Sequence, residues 1–109
     1  MRSSRGPCHD LGKIKELVMK SRYRTTKRVR DYILNHGYDY AETVEDVICS
    51  IEEEHYHKTD ELEAIPGTFA DIYRHVECYE EEWYVKLFMD DDGTPSVQIW
   101  SLKEDGYLF

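Results

Sequence analysis

The chain has 109 residues, of which 40% are hydrophobic and 34% are charged, and its net charge is −9. This length suffices for one hydrophobic core and excludes a two-domain enzyme with a separate cofactor fold, so we expect a single domain over residues 1–109. No apolar run approaches the roughly 18 to 20 residues of a membrane-spanning helix, and the start of the chain lacks the apolar region of a signal peptide. We therefore expect a cytoplasmic protein that contacts no membrane.

The charges are unevenly distributed along the chain. Residues 1–36 contain ten basic and three acidic residues, a net charge of +7, whereas residues 37–109 contain four basic and twenty acidic residues, a net charge of −16. The basic segment could attract RNA or an acidic partner. Alternatively, the two segments could neutralise each other locally and keep the protein in solution.

Two helices are predicted in the basic segment. Asp10 is a suitable N-cap for the first, and residues 1–8, which precede it without any periodicity, are expected to be disordered. Thr25 or Thr26 can cap the second helix, and Gly37 is placed to end it.

A third helix is predicted to begin at Thr43, after a short connection over residues 38–40. Its apolar residues recur at the spacing of one helical face: Val44, Val47, Ile48 and Ile51. Cys49 lies within this run and is expected in the core. The three cysteines form neither a CxxC pair nor an even set, so we expect reduced thiols.

After Glu54 the pattern changes to short strands separated by turn signals. Four strands are predicted, within residues 55–58, 66–74, 82–90 and 97–105. The turn signals are Pro66-Gly67, the acidic stretch at 78–82, and the sequence DDGTP at 91–95. The expected fold class is α+β, with three N-terminal helices packed on one face of a mostly antiparallel sheet of about four strands.

The third predicted strand has two different faces. Alternation places four apolar residues on one side: Trp83, Val85, Leu87 and Met89. The other side carries Tyr84, Lys86 and Phe88, and packing gives no reason to place a lysine beside a tyrosine there. With Lys58 and Arg74 on neighbouring strands, this second face gathers cations and a phenol, which suggests a phosphate ligand.

Several segments, in this order, resemble one known family: RTT (24–26), HYHK (55–58), D-x-Y-R (71–74), Y-x-K (84–86) and SLKED (101–105). The chain resembles the MqsR family of bacterial type II toxins over roughly residues 9–105. The resemblance implies a RelE-like fold and a metal-independent endoribonuclease, an mRNA interferase that needs no cofactor. It also implies a cognate antitoxin encoded beside it, with a helix-turn-helix domain expected.

The resemblance places the catalytic lysine at Lys58 and the catalytic tyrosine at Tyr84. The family's glutamine falls on Ala70, whose side chain can neither bind phosphate nor orient a base. Gln98, Arg74 or a histidine could take over that function.

Metal-free RNA cleavage needs a base, positive charge on the phosphate and an acid for the leaving oxygen. Lys58 and Lys86 could stabilise the charge, Arg74 could clamp phosphate oxygens, and Tyr84 could position or protonate one of them. The predicted catalytic residues are therefore Lys58, Tyr84 and Arg74, and Lys86 is predicted to bind substrate.

Three further residues are predicted to contact substrate, namely Tyr73, His57 and Gln98. Tyr73 is equally explained by the preference of tyrosine for strands. His57 or His55 could act as a general base near neutral pH. Although His55, His57 and His75 suggest a metal, a third ligand with defined spacing is missing, so we predict no metal site.

Two other residue types have more than one explanation. Asp71 could orient Arg74 or a lysine, or form an ordinary salt bridge between strands. Trp83 and Trp100 are expected in the core, with stacking on an RNA base as the alternative for whichever is exposed.

Three functions therefore remain open. The first is a ribonuclease toxin acting on single-stranded mRNA. The second is a binding module with the toxin fold, which pairs with an antitoxin-like repressor and catalyses nothing. The third is a metal-dependent hydrolase that uses His55, His57 and nearby carboxylates.

Overall fold

The computed structural model describes residues 6–91 and 93–107. These residues form three α-helices, one short 3₁₀ helix and five β-strands. In chain order they are α1 (Leu11–Met19), β1 (Tyr23–Thr25), α2 (Lys27–Asn35), α3 (Tyr40–Cys49), the 3₁₀ helix (Glu53–His55), β2 (Tyr56–Glu61), β3 (Phe69–Cys78), β4 (Glu81–Asp90) and β5 (Ser96–Glu104). No helix among them is long and apolar enough to cross a membrane.

The strands of the described residues form one sheet in the order β1-β5-β4-β3-β2. Strands β2 to β5 pair antiparallel, whereas β1 runs parallel to β5, with Arg24 opposite Gln98. The α+β class is confirmed, although the sheet has five strands and is mixed. β1 was not predicted, because its three residues are too few to show alternation and its extended backbone depends on pairing with β5.

The helices cover one face of the sheet. Val44, Val47 and Ile48 of α3 are buried there, and Trp83 and Val85 of β4 belong to the same cluster. The predicted apolar face of the third helix and the predicted apolar face of the third strand are both confirmed. Burial of each such side chain stabilises the fold by about 1.5–3 kcal/mol. The helices therefore pack on one face of the sheet and leave the other face uncovered by helices.

The N-caps of α1 and α2 are as predicted. The Asp10 carboxylate accepts from the Lys13 amide, and the Thr26 hydroxyl accepts from the Val29 amide. Gly37 follows α2 with φ +79°, a left-handed conformation that favours glycine.

The predicted start of α3 is wrong by one turn. The helix begins at Tyr40, because the Asp39 carboxylate accepts from the Glu42 amide and caps it there. Thr43 lies inside the helix and is buried. The prediction of Cys49 in the core is also wrong: Ile48 takes the buried position, and Cys49 is exposed.

The connection between β3 and β4 is shorter than predicted. The two strands extend into the acidic stretch and are joined by Tyr79 and Glu80, with φ values of 57° and 62°. Two successive positive φ values are typical of the tight hairpin turn that matches the twist of the strands. The other turn signals lie between strands as predicted, except that Asp92 is outside the described residues.

Three β-bulges interrupt the described sheet near its middle. His57 is the extra residue between β2 and β3, and Trp100 is the extra residue between β5 and β4. Arg74 and His75 together face Tyr84 in the third bulge, where His75 has φ +63°. Because bulges redirect side chains and are frequent beside active sites, we expect a functional site near the centre of the sheet.

Candidate functional site

The face of the sheet away from the helices, which we call the open face, carries the predicted cations. Lys58, Ile72, Lys86 and Ser101 lie opposite one another on four successive strands. Since neighbouring strands are about 4.8 Å apart, Lys58 and Lys86 are separated by roughly 10 Å. The structure therefore brings the two lysines to one row of the open face.

Tyr84 lies between two cations on this face. It pairs with Lys103 of β5, whose Nζ is 5.0 Å from the centroid of the tyrosine ring, and Arg74 faces it from the bulge in β3. Burial raises the pKa of Tyr84, and the charge of Asp60 raises it further, while Arg74 opposes them. The phenol therefore keeps its proton at neutral pH and can donate it to a bound anion.

Asp105 fixes the position of Arg74. Nη2 of Arg74 donates to Oδ1 of Asp105 at 2.8 Å, and Nε donates to both carboxylate oxygens at 3.2 and 3.3 Å. Burial acts to raise the pKa of Asp105, but the bonds from Arg74 and from the His75 amide outweigh it and hold that pKa below its usual value. The bond to Asp105 also raises the pKa of Arg74. The guanidinium is thus charged and oriented beside Tyr84.

The three lysines of the open face differ in their surroundings. Lys58 Nζ is 3.6 Å from Asp60 Oδ2, and both side chains are partly exposed, so this pair is weak. Lys86 is half-buried and forms no ion pair with any described residue. Burial lowers the pKa of Lys103, and the nearby charge of Arg28 lowers it further. Lys103 therefore gives up its proton more readily than an ordinary lysine.

Ala70, where the resemblance predicted a glutamine, is fully buried in a small apolar cluster with Leu62 and Phe88, against which Trp100 packs. Gln98 lies opposite Phe88 on the open face, and its Nε2 donates to the Ser96 hydroxyl. Tyr84 is four residues from Phe88 along β4, roughly 13 Å. Gln98 is therefore at the other end of the open face from Tyr84.

One predicted substrate-binding residue, Tyr73, lies away from this face. Tyr73 is fully buried in the core on the helix side, and its hydroxyl has no hydrogen-bond partner among the described residues. Burial raises the pKa of Tyr73 strongly. This burial does not support the prediction that Tyr73 contacts substrate on the open face, because adjacent residues of a strand point to opposite faces and Arg74 takes the open one. His57 is exposed in the bulge of β2.

The histidines do not form the predicted alternative metal site. His55 Nδ1 accepts from the Glu52 amide in the 3₁₀ turn, which explains its position structurally. Within the described residues, the one group of three metal-type donors consists of His75, Glu82 and Asp105, with ligand atoms within 4.8 Å of one another. It contains neither His55 nor His57.

Asp71 orients neither Arg74 nor a lysine. It is fully buried, and its carboxylate accepts from the amides of Cys8 and His9 and from the Thr59 hydroxyl. Asp71 therefore ties the start of the described chain to the sheet. Of the segment predicted to be disordered, residues 1–5 lie outside the described residues.

Lys103 and Asp105 were not predicted as site residues. Both lie in the SLKED segment, which was recognised only as a point of resemblance. A strict alternation from Val97 would place Lys103 on the buried side, but the bulge at Trp100 reverses the alternation and turns Lys103 to the open face.

Charge is divided in space as well as along the sequence. Beside the β3–β4 turn, a cavity of about 520 Å³ is lined by six carboxylates of the described residues: Glu77, Glu80, Glu81, Glu82, Glu104 and Asp105. On the side of β1 and α2, a cavity of about 750 Å³ is lined in part by Arg24, Lys27 and Arg30. A polyanion would therefore be drawn to the open face from the α2 side.

The described helices and strands lie within a segment that matches the model of a known protein family. The family model described as "Motility quorum-sensing regulator, toxin of MqsA" matches residues 6–104. No curated protein matches the chain.

Proposed function

This chain belongs to the MqsR toxin family, whose model matches nearly its whole length, and we propose that it is an endoribonuclease that cleaves single-stranded mRNA. The family is that of toxins of a toxin–antitoxin pair, so an antitoxin partner is implied. Cleavage of mRNA in the cytoplasm would arrest growth. One observation carries the proposal, namely the placement of protonated Tyr84 between Arg74 and Lys103 on the open face.

The reaction proceeds by attack of a ribose 2′-oxygen on the adjacent phosphorus. A new bond forms between phosphorus and the 2′-oxygen, and the bond to the 5′-oxygen breaks. The products are a 2′,3′-cyclic phosphate and a 5′-hydroxyl. The 2′-hydroxyl loses a proton and the 5′-oxygen gains one, while negative charge develops on the phosphate oxygens.

The open face supplies the charge and the acid. Arg74, oriented by Asp105, can hold phosphate oxygens, and Lys86 and Lys58 lie in the adjacent row. Tyr84 keeps its proton because its pKa is raised mainly by burial, so it can protonate the departing 5′-oxygen.

Lys103 is the lysine best suited to accept the 2′-hydroxyl proton. Its Nζ lies 5.0 Å from the centroid of the Tyr84 ring, beside the proposed acid, and burial and the charge of Arg28 lower its pKa. Because the proton acceptor, the proton donor and the charges are all side chains, we propose that cleavage needs no metal ion.

The decisive experiment is cleavage of a defined single-stranded RNA in excess EDTA. Removal of a proton donor or of phosphate charge should cost at least about 100-fold in rate, so Tyr84→Phe and Lys58→Ala should both be strongly impaired. Tyr38→Phe and Lys15→Ala are the matched controls, since Tyr38 packs beside Trp83 on the helix side and Lys15 lies on α1. Normal cleavage by Tyr84→Phe would refute the assigned acid.

A second candidate function is a binding module that pairs with the antitoxin without catalysis. It is favoured by the burial of Ala70 where the family has a glutamine. In that case, the wild-type protein would cleave no RNA and would leave growth unaffected, yet it would form a stable complex with the product of a neighbouring gene. We propose a helix-turn-helix protein as that partner under either function.

A further inference from the structure

A second cavity lies at the end of the open face away from Tyr84. It has a volume of about 670 Å³, and its lining includes Arg24, Thr68, Phe88, Asp90, Gln98 and Trp100. These residues come from β1, the loop before β3, and the facing ends of β4 and β5. The parallel pairing of β1 with β5 brings Arg24 opposite Gln98, so this cavity exists only in the complete sheet.

The cavity adjoins the cations of the candidate site. Trp100, its aromatic wall, is the bulged residue next to Ser101, which pairs with Lys86. Phe88 is two residues from Lys86 along β4, roughly 7 Å, and four from Tyr84, roughly 13 Å. Stacked nucleotides rise about 3.4 Å each, so an RNA strand held at Tyr84 reaches the cavity within a few nucleotides.

The aromatic wall is held rigidly. The ring centroids of Trp100 and Phe88 are 6.1 Å apart, and Phe88 is buried against Leu62 and Ala70. Trp100 itself is half-buried. Such a ring is suited to stacking on a base of single-stranded RNA, an interaction that is worth roughly tenfold or more in affinity.

Polar groups surround this aromatic wall. Gln98, Asp90 and Thr68, which carry an amide, a carboxylate and a hydroxyl, all line the cavity. Amides and carboxylates can pair with the donor and acceptor edges of bases, and a carboxylate repels a phosphate. Arg24 adds a cation at the rim toward α2.

We propose that this cavity binds a nucleobase of the RNA substrate a few nucleotides from the cleaved bond and sets the sequence preference of cleavage. The proposal rests on the ribonuclease function proposed above. Trp100 stacks on the base, and Gln98 and Asp90 read its edge. The alanine at position 70 contributes to this site, because a small side chain lets Phe88 pack closely beneath Trp100.

The test is cleavage of a random-sequence single-stranded RNA pool, with sequencing of the cut ends. Trp100→Ala should flatten the preference at one position near the cut and raise the KM for the preferred sequence by roughly tenfold, while Trp100→Phe should retain most of both. Gln98→Ala should change the preferred base at the same position. Met19→Ala, which removes an exposed apolar side chain of α1, is the control. Unchanged preference in a folded Trp100→Ala protein would overturn the proposal.

A binding measurement separates this proposal from the ribonuclease function. A single-stranded oligonucleotide titrated into Tyr84→Phe protein should quench tryptophan fluorescence, and Trp100→Phe should abolish the quenching because Trp83 is fully buried. Quenching without any cleavage by wild-type protein would support the base site and refute the enzyme. Cleavage without quenching would refute the base site and retain the enzyme. Binding of the oligonucleotide that leaves the fluorescence of Trp100 unchanged would do the same.

Discussion

Asp105 determines where the Arg74 guanidinium lies. It binds Nε and Nη2 at once and leaves Nη1 outside the pair. A planar cation held in this way loses little conformational entropy when it binds a phosphate. The same carboxylate accepts from the amide of His75, whose positive φ would otherwise be unsupported. One side chain therefore stabilises the bulge and orients its cation.

The pH dependence of stability should reveal this pair. Because the folded-state pKa of Asp105 is lowered, its stabilisation is complete above the unfolded pKa of about 3.9 and is lost as the pH falls through the folded pKa. Asp105→Asn should therefore lower the free energy of unfolding in urea at pH 7, and the difference from wild type should shrink at pH 3.

Asp31→Asn is the control, since its exposed pair with Lys27 on α2 contributes little. An equal loss at both pH values would show that the charge of Asp105 is not what stabilises the bulge.

At the scale of elements, the positions of α1 and α2 were predictable, whereas the start of α3 and the bulges were not. Capping residues and a 3.6-residue period are local signals, so α1 and α2 follow from the sequence. A bulge depends on how two distant strands align. The sequence placed Lys58, Tyr84 and Lys86 on one face, but it missed Lys103 because a bulge reverses the alternation of β5.

The hairpin between β3 and β4 contains a backbone conformation that should lower the free energy of unfolding. Glu80 has φ +62°, which is unfavourable for a residue with a Cβ atom. Glu80→Gly should raise the free energy of unfolding by about 0.5–1 kcal/mol, measured by thermal or urea unfolding.

Glu80→Gln separates conformation from charge, because it removes one carboxylate of the acidic cavity and keeps the side chain. Equal stabilisation by both variants would assign the effect to charge repulsion and not to the backbone.

The whole molecule is electrically asymmetric around its open face. Arg28 acts on Lys103 from the α2 side, whereas Asp105 borders the cavity of carboxylates on the other. The net charge of −9 repels RNA at a distance, so under the proposed ribonuclease function binding should depend on the local cations and be strongly weakened by salt.

Salt dependence should therefore identify the cations that contact RNA. For single strands, each neutralised phosphate contributes about 0.7 to the slope of log affinity against log salt. Arg28→Gln should reduce the slope by about that amount, measured by oligonucleotide binding to Tyr84→Phe protein. Lys15→Gln on α1 should leave the slope unchanged. An equal change of slope in both variants would mean that the affinity for RNA depends only on the net charge of the protein.

The position of β5 in the sheet also affects the synthesis of the toxin. β5 is the last strand of the described chain, yet it lies between β1 and β4. Until it leaves the ribosome, β1 has no partner, Tyr84 lacks Lys103 and Arg74 lacks Asp105. Translation adds about 5–20 residues per second, so under the proposed ribonuclease function the growing chain cannot cleave RNA for several seconds. That interval lets an antitoxin already present meet the toxin before the proposed site exists.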